Sequence, residues 1–359
     1  MQTFRIARCL VALLGAGAVF AAGAQQRTLT VITGGGLQGE SNVKAFVEPF
    51  EKETGIKVIA VKDQATLSSF KLKVQSGNVD FDLAAMTPPN IGILARDNLL
   101  EAIDYKQFDS ALMDKLPRES KTPWGVQSFS FAWVLGFSEA SFPVGKPAPE
   151  SWADFWDVKK FPGTRTLEGG TLGSEGPLEE ALLADGVPVD KLYPLDIDRA
   201  FRSLDKIKPH IRKWWKVGSE QMQLFQSGGA NIGMGYDGRF TALTQAGKPM
   251  RISWNQAKMS GIYWVIPKGA KNVKEAHKFI EFASRPDRQA AFATLTGYGP
   301  SNPAAFDMIS KELAATMVSS PENRKRAYMV NFDWYGQVGA DGKTNSERIA
   351  ERWNAWITQ

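Results

Sequence analysis

Strand and helix patterns alternate along the first quarter of the chain. Apolar residues alternate over residues 29–33, recur at helical spacing over 43–50, and return as a short strand pattern at 57–61. A helical stripe at 67–74 and a strand pattern at 81–85 continue the series. Strands that are joined through helices run parallel, and the helices cover the faces of the sheet. The sequence therefore predicts an α/β fold.

Two further strand patterns are long enough to cross between two halves of such a fold. Residues 124–137 alternate aromatic with small residues, and residues 260–267 form an apolar run. A helix pattern at 273–283, which Asn272 is predicted to cap, follows the second run. We therefore expect a hinge of two crossover strands. The predicted units are residues 25–127 and 261–310 as a discontinuous lobe 1, 128–260 as lobe 2, and 311–359 as a C-terminal helical segment packed on the lobes.

The N-terminus has the three parts of a cleavable signal peptide. Arg5 and Arg8 precede an apolar run at residues 9–22, and Ala22-Gly23-Ala24 supplies the small residues of a cleavage site. The apolar run is too short for an ordinary membrane span. We therefore expect residues 1–24 to be a signal peptide, cleaved after Ala24, and the mature chain to be exported.

Composition excludes several kinds of chemistry for that mature chain. The single cysteine, Cys9, lies in the signal peptide, and His210 and His277 are the two histidines. Disulfides, thiolate catalysis and a histidine-rich metal site are therefore excluded. The formal charge of the whole chain is only +5, two units of which are signal-peptide arginines, and this argues against nucleic acid as a partner. We expect a monomer with no metal and no cofactor.

A glycine-rich loop follows the first predicted strand and allows two interpretations. Gly34, Gly36 and Gly39 fit the spacing G-x-G-x-x-G, and Asp63 ends the next strand, which is typical of an exported nucleotide-binding oxidoreductase. Alternatively, the loop brings backbone N–H groups close to a small ligand, especially an anionic one. We favour the second interpretation because an exported chain seldom meets NAD. Hydrolase signatures such as G-x-S-x-G and H-E-x-x-H do not occur, so we expect no enzyme.

Several stretches, taken in order, resemble one family over nearly the whole mature chain. They are Glu51-Lys52-Glu53-Thr54-Gly55-Ile56-Lys57-Val58, Asp82-Leu83, Ser151-Trp152-Ala153-Asp154-Phe155-Trp156, the strand pattern of 229–238, and Ile266-Pro267 with Ala270-Lys271-Asn272. The family is the periplasmic solute-binding proteins of ABC importers, with the spermidine/putrescine-binding type as the nearest branch. The resemblance implies a two-lobe periplasmic binding protein fold (type II), a small-molecule solute in the cleft, and delivery to an inner-membrane ABC permease.

The sequence departs from the polyamine-binding pattern of that family. Polyamine binders carry a Trp-x-Asp pair before the returning strand, where this chain has Ser260 and Ile262. Glycines follow the first strand in place of aromatic and acidic residues, and Ser128 and Ser130 stand where the family has aromatics. The resemblance therefore implies a polyamine-type scaffold whose ligand is a small carboxylate or an amino-acid-like compound at least as readily as a diamine.

Small polar groups at predicted strand ends form the core of the candidate binding site. We expect the cleft to be lined by the backbone N–H groups of Gly35 and Gly36 and by the side chains of Thr87, Ser128, Ser130, Tyr236 and Ser260.

The larger candidates each have an ordinary structural alternative. Arg239, or else Lys258, could pair with a ligand carboxylate, although Arg239 could also be a solvated helix residue. Glu175 and Asp237 could bind an amine, but Glu175 could equally lie at the surface and Asp237 could cap a helix. Trp264 could stack on the ligand or pack in the core.

Overall fold

The computed structural model describes residues 28–359. The predicted signal peptide lies outside the described residues. The strands of the described part are β1 (Thr28–Ile32), β2 (Lys57–Val61), β3 (Leu83–Met86), β4 (Leu100–Glu101), β5 (Lys121–Thr122), β6 (Gly125–Ser138), β7 (Arg165–Glu168), β8 (Ile211–Trp215), β9 (Ile232–Tyr236), β10 (Met250–Pro267), β11 (Gly299–Pro300) and β12 (Ala327–Met329). Its α-helices are α1 (Gly36–Asn42), α2 (Glu48–Thr54), α3 (Leu67–Gln75), α4 (Pro88–Arg96), α5 (Ser110–Met113), α6 (Trp152–Trp156), α7 (Leu178–Ala184), α8 (Ile197–Ile207), α9 (Gly218–Gln226), α10 (Asp237–Gln245), α11 (Val273–Ala283), α12 (Pro286–Thr296), α13 (Lys311–Ala314), α14 (Pro321–Arg324), α15 (Phe332–Gly336) and α16 (Asn345–Ile357).

The central sheet has two parallel halves joined by two long antiparallel strands. Its main strands follow one another in the order β2-β1-β3-β10-β6-β9-β7-β8. β1 pairs in parallel with β2 and β3, and β7 pairs in parallel with β8 and β9. β6 and β10 run antiparallel to each other, and each also pairs with one of the halves. The predicted parallel sheet and the two crossover strands are confirmed.

The returning crossover strand is longer than the sequence predicts. The apolar run predicts a strand at 260–267, whereas β10 begins at Met250 and is one strand of 18 residues. Its pairing with β6 is irregular between Ser253 and Lys258, and Gln256 there has a φ of +64°. Such an irregularity absorbs extra residues without ending a strand. The polar stretch that interrupts the apolar pattern is therefore part of the hinge.

β6 separates the two faces of the hinge. All 14 of its residues are buried. Phe129, Phe131 and Trp133 lie in the largest hydrophobic cluster, whereas Ala132 and Val134 lie in a second one. Because successive side chains of a strand point to opposite faces, the aromatic residues share one face of the sheet and the small residues share the other.

A buried carboxylate fixes the start of α11 against the first half of the sheet. Asn272 occupies the N-cap position as predicted, but its side chain makes no capping bond to the helix. Instead its Nδ2 donates to Asp82 Oδ2 at 3.0 Å, and its backbone N–H donates to Asp82 Oδ1 at 3.0 Å. Asp82 also accepts from the backbone N–H of Thr30 at 2.9 Å. One carboxylate therefore ties the helix to β1.

The C-terminal segment contacts both halves of the molecule. The predicted tail helix is confirmed as α16, which opens with a capping box between Thr344 and Glu347. Ile349, Trp353 and Trp356 form its buried face, while α16 contacts the 3₁₀ turn Gly170–Leu172 and α15 contacts α4. Within residues 28–359, the helices are too short or too polar to span a bilayer.

Candidate ligand-binding site

The carboxyl ends of strands from both halves converge where β6 and β10 cross. Met86, the last residue of β3, pairs with β10 in the first half. Tyr236, the last residue of β9, pairs with Trp133 of β6 in the second half. Ser260 of β10 lies between these points, opposite Phe131 of β6. Ligands of open α/β sheets bind at the carboxyl ends of the strands, so this crossing is the candidate site.

Four aromatic side chains form a continuous wall at this crossing. We define the aromatic cluster as Phe131, Trp133, Tyr236 and Tyr298. Phe131 is central, with ring centroids 5.0 Å from Trp133, 5.6 Å from Tyr236 and 6.5 Å from Tyr298. Ser260 lies on the same face because it is directly paired with Phe131. The aromatic face of β6, and not the face that carries Ser128 and Ser130, is thus the one that Ser260 shares.

Glu168 ends β7 and points its carboxyl group into the aromatic cluster. The side chain is 2% exposed, and it accepts hydrogen bonds from Trp133 Nε1 and, at 3.1 Å, from the Tyr236 hydroxyl. Burial raises the pKa of Glu168 well above its usual range, and the charge of Glu175 adds to this effect, against the lowering influence of Lys258. A carboxyl group between aromatic rings is suited to hold an ammonium group, which both carboxylates and ring faces attract.

Lys258 is occupied by internal contacts and is not available to a ligand carboxylate. Its Nζ lies 2.9 Å from the Gly176 carbonyl oxygen, 3.2 Å from Glu179 Oε2 and 3.1 Å from Glu180 Oε2. Lys258, Glu179 and Glu180 are all fully buried. Removing one member of such a group leaves an unpaired buried charge, which costs about 3–5 kcal/mol. Lys258 therefore joins β10 to α7.

Arg239 presents a positive charge that no acidic side chain neutralises within residues 28–359. It is half-buried in the first turn of α10, and its guanidinium lies so close to Gly218, the first residue of α9, that a Cβ there would collide with it. Nη1 lies 3.3 Å from the sulfur of Met222, and Nε is buried without a hydrogen-bond partner. The charge also acts on Tyr298, lowering a pKa that burial raises to about 12. A guanidinium in this state can bind a carboxylate with two hydrogen bonds.

A cavity of about 830 Å³ opens next to β10, where Ser260 and Gly261 are among its lining residues. Pro88 and Pro89 of α4 line one side, Tyr335 of α15 lines another, and Ser260 with Gly261 forms part of the base. Tyr335 also donates from its hydroxyl to Glu179 Oε1 at 2.7 Å. The cavity lies between the first half of the sheet and the C-terminal segment, and one of its lining residues, Ser260, is paired with Phe131 of the aromatic cluster.

The structure brings several of the predicted site residues to this region. Tyr236 and Ser260 lie on the same face at the crossing. Glu175 is half-buried and its charge acts on Glu168. Thr87 immediately precedes the cavity-lining Pro88. Arg239, described above, completes this group.

Gly35 and Gly36 lie in the first half, exposed at the start of α1. Gly39, the last glycine of the predicted nucleotide motif, is already inside that helix. The predicted glycine loop therefore consists of residues 34–36 and leads into a helix N-terminus, as the anion-binding interpretation expects.

Other predicted residues lie elsewhere. Ser128 and Ser130 are each 1% exposed, and the Ser130 hydroxyl accepts a hydrogen bond from Gln127 Nε2 at 3.1 Å. Because Ser130 pairs with Gly261, its side chain lies on the face opposite Ser260. Both hydroxyls are therefore in the interior of the hinge, where that of Ser130 is hydrogen-bonded and that of Ser128 has no partner.

Asp237 and Trp264 are also buried. Asp237 is fully buried and accepts from the backbone N–H of Ala132 at 3.1 Å. Trp264 is 1% exposed and packs edge-on against Phe46 and Phe279. The ordinary alternative for Trp264, a place in the core, is the one the structure adopts.

Glu168, a buried carboxyl group with a strongly raised pKa, is absent from the candidates that the sequence patterns selected. It stands at the end of a strand and before Gly169-Gly170, so the carboxyl-end rule that selected Thr87 and Tyr236 would also have selected it. Phe131 and Trp133 were missed because aromatic residues in an apolar strand are usually core, and only strand pairing reveals which face meets the site. Tyr298 was missed because it lies in the short connection between α12 and β11, outside any helix or strand pattern.

Comparison with known proteins places this geometry among binding proteins. A family model described as bacterial extracellular solute-binding protein matches residues 45–321. The chain is 31% identical over 354 residues to the gamma-aminobutyric acid-binding protein of Pseudomonas aeruginosa, covering 97% of this chain and 96% of that protein. It is 27% identical over 306 residues to the spermidine/putrescine-binding periplasmic protein of Escherichia coli K12, covering 82% and 84%. The solved structure of the Atu4243-GABA receptor is 34% identical, with a TM-score of 0.79, and covers 92% of this chain and 97% of that one.

Proposed function

The chain belongs to the bacterial extracellular solute-binding protein family, and on this premise we propose that its cleft binds a small amino acid whose ammonium and carboxylate groups are separated, such as γ-aminobutyrate. The protein is the substrate-binding component of an ABC transporter with the two-lobe fold of that family, and it delivers a small solute to a membrane permease. Members of the family are solute-binding proteins and not enzymes, so the oxidoreductase alternative is wrong.

One observation carries the choice of ligand. Glu168 supplies a negative group inside the aromatic cluster, and Arg239 supplies a positive group without an acidic partner in the described chain. Tyr236, which donates to Glu168, contacts Phe131, and Phe131 contacts Tyr298, on whose pKa the charge of Arg239 acts. An ω-amino acid places opposite charges at the two ends of a short methylene chain, and aromatic walls suit that chain.

A diamine is the second candidate, because Glu168 and Glu175 together could bind ammonium groups. Arg239 argues against it, since a second ammonium near an unpaired guanidinium would be repelled. The relatives named for γ-aminobutyrate are also more similar to this chain than the polyamine-binding relative reported above.

The remaining parts of the proposal concern assembly and closure. The mature protein is a periplasmic monomer that begins after Ala24 and binds no nucleic acid. Its lobes are residues 25–127 with 261–310, and 128–260, and residues 311–359 pack on both. Closure brings Gly35, Gly36 and Thr87 of the first lobe onto a ligand held by the second lobe. Contacts with both lobes then stabilise the closed state over the open one.

Calorimetric titration of the refolded, ligand-stripped mature protein tests this function. Three ligands are compared. γ-Aminobutyrate carries one ammonium and one carboxylate group, putrescine carries two ammonium groups, and butyrate carries one carboxylate group. We expect γ-aminobutyrate to bind at least about tenfold more tightly than either of the others, because losing a charge-assisted hydrogen bond costs about 1.5–3 kcal/mol. Tighter binding of putrescine would instead establish the diamine function.

A further inference from the structure

Four carboxyl groups gather around a single lysine beside the proposed site. Glu179 and Glu180 are fully buried with Lys258, and Glu168 is 2% exposed. Glu175 is half-buried, and its charge acts on Glu168. If every group were ionised, the negative charges of this cluster would far exceed the positive one. A buried excess of charge is costly, and proteins avoid it by leaving some of the groups protonated.

The contacts indicate which carboxyl group holds a proton. Lys258 donates directly to Glu179 and Glu180, so these two share its positive charge. Glu168 has only neutral hydrogen-bond partners, the indole N–H of Trp133 and the hydroxyl of Tyr236. The oxygens of Tyr236 and Glu168 are 3.1 Å apart, a separation that suits a hydrogen bond in either direction. A protonated Glu168 is therefore accommodated without loss of a contact.

We propose that the ligand's ammonium group displaces a proton from Glu168, so that solute capture and proton release are coupled. This inference rests on the proposed function and adds a regulatory property to the same site. In the free protein, the carboxyl group of Glu168 is neutral. When the ammonium arrives, the O–H bond of Glu168 breaks, its proton passes to a buffer base, and the carboxylate left behind pairs with the ammonium.

The electrostatics of the surrounding elements agree with this assignment. Burial raises the pKa of Glu168 well above its usual range. The negative charge of Glu175 raises this pKa further, whereas the positive charge of Lys258 lowers it. Burial and the Glu168 charge also raise the pKa of Tyr236, so this partner stays neutral. Burial also raises the pKa of Glu175, and it raises the pKa of Glu180 and that of Asp237 to about 7 each, so these three carboxyl groups are the competing sources of a proton.

Proton release predicts the direction of the pH dependence. The amine and carboxyl groups of γ-aminobutyrate titrate near those of Lys and Glu side chains, at about 10.4 and about 4.3, so neither changes charge between pH 6 and 8. Loss of one proton on binding makes the association constant rise up to about tenfold for each pH unit. Affinity should therefore increase from pH 6 to 8 until Glu168 of the free protein ionises.

The test is calorimetric titration of the mature protein with γ-aminobutyrate near pH 7 in phosphate and in Tris, buffers whose ionisation enthalpies differ. The dependence of the observed enthalpy on the buffer gives the number of protons released. We expect about 0.5–1 proton for the unaltered protein and for Glu180→Gln, by linkage. For Glu168→Gln, which should bind weakly, the dissociation constants at pH 6 and 8 are compared by tryptophan fluorescence, and we expect them to be equal.

The outcomes separate this inference from the proposed function. Normal binding of γ-aminobutyrate without dependence on the buffer overturns proton coupling and leaves the proposed function intact. A dissociation constant of Glu168→Gln that still decreases from pH 6 to 8 overturns the assignment to Glu168, because another carboxyl group must then release the proton. Failure of the unaltered protein to bind γ-aminobutyrate overturns the proposed function and this inference with it.

Discussion

At the scale of single residues, recognition is divided between Glu168 and Arg239. We predict that Glu168→Gln weakens the binding of γ-aminobutyrate by about 10- to 150-fold but changes the binding of butyrate little, because only the ammonium contact is lost.

Arg239→Gln should weaken the binding of both γ-aminobutyrate and butyrate and reduce the preference for γ-aminobutyrate over putrescine. Titration calorimetry measures each constant, and Glu312→Gln, an exposed change in α13, is the matched control. Equal losses for butyrate and γ-aminobutyrate in Glu168→Gln would contradict the assignment.

Asp237 is predicted to make stability depend on pH. It is fully buried, and burial raises its pKa from 3.8 to about 7 against the lowering effect of backbone N–H donors. Between these two values the folded state keeps a proton that the unfolded state releases. The contribution is therefore fully present below about pH 3.8 and is lost as pH rises through about 7, at a rate of up to about 1.4 kcal/mol per pH unit.

Asp237→Asn should remove this part of the pH dependence, because the amide keeps the acceptor for Ala132 and cannot ionise. Urea unfolding at pH 5, 6 and 7, followed by tryptophan fluorescence, measures the free energy of unfolding at each pH. The slope for Asp237→Asn should be flatter than that of the unaltered protein, while the exposed control Asp307→Asn keeps the original slope. Identical slopes for all three proteins would show that Asp237 titrates alike in both states.

Sequence patterns could place a candidate site residue only where the end of a predicted strand, or a position shared with the family, fixes its location. Tyr236 was selected because it ends an apolar run, and Ser260 because it stands where the polyamine binders of the family carry their Trp-x-Asp pair; the structure brings both residues to the same face at the crossing. Ser128 and Ser130 were misplaced because the alternation of a strand reveals two faces but not which one meets a ligand. That choice depends on the long-range pairing of β6 with β9 and β10, which no local pattern contains.

At the scale of elements, α16 fastens the C-terminal segment through a tryptophan. Trp353 is 2% exposed, and its ring centroid lies 5.2 Å from Trp214 and 5.0 Å from Trp356. Gly170 packs under this ring, and a Cβ there would lie 2.6 Å from Trp353 Cε3. The helix therefore depends on close contact with the second half of the sheet.

We predict that Trp353→Ala lowers the free energy of unfolding by about 3–5 kcal/mol, because it removes buried area and leaves a cavity. Chemical denaturation measures the change, and Asn354→Ala, an exposed position on the same helix, should cost less than about 1 kcal/mol. A loss for Trp353→Ala no larger than that of this control would mean that α16 contributes little to the fold.

Helices and strands were largely predictable because each combines an apolar period with a clear end. The pattern at 273–283 corresponds to α11 without error, and the tail pattern corresponds to α16 within one residue at its start. The predicted strand at 260–267 covers only the second part of β10, because the polar residues before it give no sign that pairing with β6 begins at Met250. The cap at Asn272 was placed correctly, but its side chain serves Asp82, a contact between distant parts of the chain.

At the scale of the whole molecule, β6 and β10 join the two halves of the sheet, and the proposed closure would occur about these two strands. We predict that saturating γ-aminobutyrate reduces the radius of gyration in small-angle X-ray scattering, because a ligand that contacts both lobes favours the compact state. Glu168→Gln at the same ligand concentration should remain as extended as the free protein. No change on ligand saturation of the unaltered protein would contradict closure.

The most direct test of the central claim is a crystal structure of the mature protein grown with γ-aminobutyrate. We predict that the ligand nitrogen lies between the rings of the aromatic cluster, within about 2.7–3.2 Å of a Glu168 carboxylate oxygen. The ligand carboxylate should lie within the same distance of the Arg239 guanidinium. A ligand bound in the cavity between α4 and α15 without contact to either charged residue would contradict it.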